Sequence, residues 1–218
     1  MTTLHLRKSN GPSPLRRAFL LIPFAIASFA LSPTSLAQLP SPAPDGGYPN
    51  ANTAEGTNTL FSLTTGSGNT AIGFDALFNN TGGSNNTATG VSALQSNTTG
   101  NFNTATGFQA LPNNTTGFNN TANGHQALFS NTIGGENTAN GYLALAGNTT
   151  GGNNTANGAG ALQRNTTASY NTASGVDALL YNTIGAFNTA NGSEALFSNT
   201  TGGENTATGY RALHSNTT

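Results

Sequence analysis

Small, polar and apolar positions recur along this chain with a period that belongs to neither a helix nor an isolated strand. From Asn52 onward the same residues return every 17 positions, without an insertion or deletion. Units begin at Asn52, Asn69, Asn86, Asn103, Asn120, Asn137, Asn154, Asn171, Asn188 and Asn205, and the tenth stops at its fourteenth position, Thr218. The consensus is NTAxGxxALxxNTTGxx. A fixed period of about 20 residues predicts a solenoid, in which each unit stacks on its predecessor and every column of the repeat becomes a ladder of like residues.

Each column can then be asked what its place requires. Asn at column one, Thr at two, Ala at three, Gly at five, Leu at nine and Thr at thirteen occur in all ten units. Ala at eight is replaced only by Thr59, Asn at twelve only by Leu63, and Gly at fifteen only by Ala168. Coils of β-structure stack about 4.8 Å apart, close enough for Asn and Thr side chains to hydrogen-bond up a column. Ala and Gly at three and five let two backbones approach closely. Leu at nine with Ala at eight is the one steady apolar filler. Gly at fifteen, after Asn-Thr-Thr, marks a turn that needs positive φ or a close contact. In the fourth unit these ladder residues are Asn103, Thr104, Ala105, Gly107, Ala110, Leu111, Asn114, Thr115 and Gly117.

Thr and the variable aromatics favour strand, and the Gly-Asn-Thr turns leave no run long enough for a helix. The expected architecture is all-β: a parallel β-solenoid or β-roll of ten 17-residue coils. Each coil is expected to hold two short strands, over columns one to six and eight to eleven, with a turn at twelve to sixteen. Pro112, at column ten, has no N–H and must lie outside the ladder or at a strand end.

Columns six and ten are mixed in size, unlike a sealed core. They carry Phe74, Phe108, Tyr142 and Tyr210 at six and Phe78, Phe129 and Phe197 at ten. These are the candidate interface residues, on faces that meet a neighbouring chain or solvent. A core of one Leu and two Ala per coil returns only a few kcal/mol, against on the order of 25 kcal/mol to order 17 residues. Several threads packed together would bury columns six and ten as well, so the chain is expected to pack against neighbouring threads.

The first 51 residues break the pattern. Arg7, Lys8, Arg16 and Arg17 precede the apolar run Ala18 to Leu31, and Ser35-Leu36-Ala37 supplies a small-x-small cleavage pattern. That is the layout of an export signal over residues 1–37, too short for a membrane span. Arg16-Arg17 also fits a twin-arginine signal. Residues 38–51 are rich in Pro and Gly and read as an extended linker. Removal of the signal leaves Arg164 and Arg211 against seven acidic residues, a net charge of −5. That balance offers no basic stripe for nucleic acid, and membrane contact is expected only through the signal or an anchor elsewhere.

Chemistry is sparse. His125 and His214 lie five units apart, Cys is absent, and only Asp75 and Asp177 share a column among the aspartates. No nucleophile–base pair, metal cluster or cofactor motif emerges, so a non-enzymatic protein without a cofactor is expected.

At NTAxGxxALxxNTTG the chain resembles the head repeats of trimeric autotransporter adhesins of the YadA-like, haemagglutinin type. It is more similar still to the Gly-aromatic-x-Ala-Leu-x-x-Asn-Thr-Thr-Gly arrays of tail-fibre-like bacterial surface proteins. The resemblance covers Asn52 to Thr218. It implies a left-handed parallel β-roll, trimerisation, and exposure at the bacterial cell surface, where the partner is a host or surface ligand. The period of 17 exceeds the usual adhesin head repeat, and the sequence ends inside a unit without the stalk, anchor barrel or chaperone domain such proteins carry. Two alternatives stand beside the adhesive module: a shaft fragment of a phage-like tail fibre, and an ice-binding or other flat-lattice-binding solenoid. The second rests on threonine ranks at columns two and thirteen. Its doubled Thr array at columns two and four is complete only at Thr87/Thr89, Thr104/Thr106 and Thr206/Thr208.

Overall fold

A computed structural model describes residues 47–218. The export signal and residues 38–46 of the linker lie outside the described residues. Within them, one three- or four-residue strand per coil begins the repeat. The first two are β1 (Gly47–Tyr48) and β2 (Asn52–Glu55), followed by β3 (Thr70–Ile72), β4 (Thr87–Thr89), β5 (Thr104–Thr106) and β6 (Thr121–Asn123). Then come β7 (Thr138–Asn140), β8 (Thr155–Asn157), β9 (Thr172–Ser174), β10 (Thr189–Asn191) and β11 (Thr206–Thr208). All lie in a single sheet in chain order. From β2 to β11 every pairing is parallel with column on column, as in Thr104↔Thr121 and Ala105↔Ala122. The protein is a parallel β-solenoid, as the period predicts.

The second strand does not form. Columns five to twelve fold instead as two consecutive tight turns, closed by Ala127 N–H to Gly124 C=O (3.5 Å) and Asn131 N–H to Leu128 C=O (3.1 Å). Leu at column nine takes a left-handed φ in every coil, 51° to 53° at Leu94, Leu111 and Leu128, and column seven does likewise. A β-branched or long side chain seldom adopts this conformation, at a cost on the order of 1 kcal/mol. Here it is over-determined. It turns the Leu side chain to the axis and its N–H to the next coil, where Leu111 N–H donates to Ala127 C=O (2.9 Å). Pro112 sits at column ten of this turn, where the N–H makes no bond between coils, so no inter-coil bond is lost; its carbonyl accepts from Ser96 N–H at 2.9 Å.

The core is a thin line of Ala at columns three and eight and Leu at nine, fully buried from Leu60 to Leu196. Around it run two asparagine ladders. At column one, Asn120 Nδ2 donates to Asn103 Oδ1 (3.1 Å) and to Gly134 C=O (2.8 Å). Its Oδ1 accepts from Asn137 N–H and Asn137 Nδ2, both at 3.1 Å. At column twelve, Asn131 Nδ2 donates to Asn114 Oδ1 (2.9 Å) and Gly134 C=O (3.0 Å). Asn120 and Asn131 are fully buried with both amide donors used, which is the condition for burying them without penalty; in the last coil, Asn205 Nδ2 is left without a partner. Leu63 replaces the first column-twelve Asn and starts that ladder on an apolar residue packed against the core.

Threonine at column thirteen bonds differently from the expected side chain-to-side chain ladder. Thr115 Oγ1 donates to the backbone carbonyl of Thr132 (3.1 Å), and the same step repeats from Thr64 to Thr200. Column two has no such partner: the Thr hydroxyls of β3–β11 make no side-chain hydrogen bond among the described residues. Thr115→Val is therefore expected to cost about 1 kcal/mol in urea unfolding and Thr121→Val less than about 0.5 kcal/mol. Equal costs would contradict this division.

Two glycine columns serve close approach. A Cβ on Gly107, at φ 130°, would stand 2.6 Å from Gly124 O in the next coil. A Cβ on Gly117 would meet Asn114 Oδ1 and, at 2.5 Å, Gly134 O. Gly117 does not have positive φ, so column fifteen is a contact requirement.

The last five residues of the expected linker are ordered as a cap. β1 pairs antiparallel with β2, Tyr48 packs on the core, and Asn52 Nδ2 donates to Pro49 C=O (2.8 Å). An edge that would otherwise expose unpaired backbone is thus covered.

Candidate functional site

In the fourth unit the asparagine, alanine and leucine columns point inward, while Thr104 and Thr115 form no side chain-to-side chain ladder. Asn103, Ala105, Ala110, Leu111, Asn114 and Gly117 are buried, and Thr104, Gly107 and Thr115 are half-buried. They hold the coil together and leave the outer columns to meet other molecules.

Column six forms an exposed aromatic strip. Phe74 is 49% exposed, Phe108 47%, Tyr142 56% and Tyr210 71%. Within it the rings of Phe108, His125 and Tyr142 stack in succession, with centroids 5.2 and 5.4 Å apart. Column ten is less open: Phe78, Phe129 and Phe197 are half-buried. Phe61 stacks on Phe78 at 5.1 Å and Phe197 on His214 at 4.9 Å. Stacking follows from the column rule, because aromatic residues in successive coils are held at about the separation that offset rings prefer. Column seventeen adds rings that the column reading did not single out, with Tyr170 on Phe187 at 5.0 Å.

Polar columns line up in the same way. Asn123 donates to Asn140 (2.9 Å), and Asn140 to Asn157 (2.8 Å). Gln126 Nε2 donates to Gln109 Oε1 (3.0 Å). Near the C-terminal end Arg211 Nε lies 2.7 Å from Glu194 Oε2, and His214 Nε2 lies 3.2 Å from the same oxygen. Accepting the Arg211 hydrogen bond holds the Glu194 carboxyl below its ordinary 4.5. The contact is therefore fully present above pH 4.5 and is lost as pH falls through the lowered value. Both groups face solvent, so it adds little stability.

No protein-family model, curated protein or solved structure matches the chain. Function must be read from these surfaces alone. Among the described residues no three His, Cys, Asp or Glu side chains gather in one place.

One concavity interrupts the turn face. It lies at coil six, between Phe129 and Arg164, with a volume of about 520 Å³. Its signal in the sequence is the pair Ala146-Gly147. No other unit has small residues at both columns ten and eleven.

Proposed function

We propose that the mature chain is an exported, non-enzymatic structural and adhesive module of a bacterial cell surface, working as a homotrimer. The observation that carries this reading is the set of exposed rings at column six, Phe74, the stacked run Phe108–His125–Tyr142, and Tyr210, interrupted by Val91 and by Ala159, Val176 and Ser193, on a hydrogen-bonded solenoid. Exposed rings gathered on one face mark a surface that meets another molecule. The export signal and the resemblance of NTAxGxxALxxNTTG to adhesin head repeats support the same setting. Packing column six against two further copies would bury apolar area that one thread leaves wet.

Light scattering on purified protein tests the assembly, with three protomer masses expected. Replacing Phe74, Phe108, Tyr142 and Tyr210 together by Ser should shift that mass to one. A wild-type monomer at micromolar concentration that still unfolds cooperatively would refute the trimer.

A second reading, binding to a flat lattice such as ice, is favoured by the free Thr hydroxyls of column two. Column thirteen does not support it, because its hydroxyls are engaged with backbone carbonyls.

A further inference from the structure

The cleft at coil six has the composition of a sugar site. Its floor is Ala146 and Gly147; one wall is Phe129 with Gln126, and the other is Gln163 and Arg164. The walls are fixed by the solenoid ladder itself. Ser130 N–H donates to Ala146 C=O (2.9 Å), Gly147 N–H to Gln163 C=O (2.7 Å), and Arg164 N–H to Leu180 C=O (3.0 Å). The space is a shallow groove of about 520 Å³, largely open to solvent, and its preformed walls avoid the entropy of ordering them on binding.

The groups that face this space have unspent hydrogen-bonding capacity. Gln126 uses Nε2 on Gln109, which leaves its carbonyl oxygen free to accept. Gln163 makes no side-chain hydrogen bond among the described residues. Arg164 is oriented by the Tyr181 ring, 4.8 Å from its guanidinium carbon, and has no carboxylate within ion-pair distance among the described residues. By contrast, Arg211 is held by Glu194. No Asp or Glu lines the cleft. An aromatic face, two amides and an unpaired guanidinium on one rigid concavity match a pyranose ring that carries a carboxylate. The chain's net charge after signal removal, −5, opposes a dense polyanion, which disfavours nucleic acids and heavily sulfated glycans.

We propose that this cleft binds the acidic sugar unit of a glycan, a sialic or uronic acid. The ring lies against Phe129, its hydroxyls meet Gln126 and Gln163, and its carboxylate meets Arg164. The assignment rests on the adhesive reading and names the chemistry of its target.

One substitution fills the cleft and another removes its cation, each using a residue that other coils already carry in the same column. Ala146→Phe follows Phe61, Phe78, Phe129 and Phe197 at column ten; Arg164→Ser follows Ser62, Ser96, Ser130, Ser198 and Ser215 at column eleven. Both variants should therefore fold, which circular dichroism checks. Titration calorimetry with 3′-sialyllactose, trigalacturonate and neutral lactose should give saturable binding to at least one acidic probe, tenfold or more tighter than lactose. Arg164→Ser should weaken the acidic probe at least tenfold and leave lactose unchanged, the loss expected for one charge-assisted contact. Ala146→Phe should abolish binding of both. Absence of binding to either acidic probe up to about 10 mM, or unchanged binding by folded Ala146→Phe, overturns the assignment. Adherence of labelled protein to glycan-bearing cells separates the two proposals. Equal adherence of wild type and Ala146→Phe overturns the cleft alone. A wild type that binds the sugar yet coats no cell overturns the adhesive reading alone.

Discussion

Asn120→Asp should destabilise the protein by about 4 kcal/mol or more at neutral pH, a large part of the 5–15 kcal/mol that holds a typical domain. The replacement is nearly isosteric, so packing barely changes. What changes is the bonding. Asn120 Nδ2 donates to Asn103 Oδ1 and Gly134 C=O, and an aspartate would set an oxygen against both. The site is fully buried, so water cannot relieve the contact. Protonation would restore one donor. The variant carboxyl is thus held above its unfolded value, so its stability is retained at acid pH and lost as pH rises through that raised value. Asn119 is the matched control: it is the preceding residue, exposed, in a left-handed conformation that Asp also tolerates. Asn119→Asp should cost less than about 0.5 kcal/mol. Urea unfolding followed by circular dichroism reads both. Equal midpoints would mean that the column-one ladder does not hold the coils together.

Most of the interior was legible because every inward column is filled by one residue type with one physical use. Through the ninth coil, Asn at one and twelve, Ala at three and eight, and Leu at nine are buried as expected; in the tenth coil, which nothing covers among the described residues, Leu213 is half exposed. The conformation of columns seven to nine was not legible. Nothing about Leu111 or Gln109 advertises positive φ; the coil above and below imposes it. Reading columns eight to eleven as strand followed the local preference, and the inter-coil hydrogen bonds overrode it. Residues 47–51 misled in the other direction. Pro and Gly suggested an extended linker, yet Tyr48 and Pro49 use that same chain geometry to close the first coil. The cleft needed three dimensions: Ala146-Gly147 is inconspicuous in the sequence and becomes a site only when Phe129 and Arg164 stand on either side of it.

The second large effect concerns the unit itself. The Asn and Thr ladder bonds between neighbouring coils span 17 residues, as from Asn137 to Asn120 or Thr115 to Thr132. Deleting residues 120–136 rejoins Asn119 to Asn137 with every column in register. The product should fold, be shorter by about 5 Å, and lose about one coil's share of stability. Deleting residues 120–127 removes only part of a coil and joins Asn119 to Leu128. The Asn ladders, the Leu column and the close-packed glycines of the two halves then face the wrong partners, and a strand slip also exchanges inward and outward faces. That protein should melt lower by roughly 15 °C or more, or lose a cooperative transition altogether. The decisive measurement is thermal melting of these two deletions beside the wild type, followed by circular dichroism. The 17-residue deletion is expected within a few degrees of wild type and the eight-residue deletion far below it. Two deletions that melt alike would contradict the claim that one 17-residue hydrogen-bonded coil is the unit from which this protein is built.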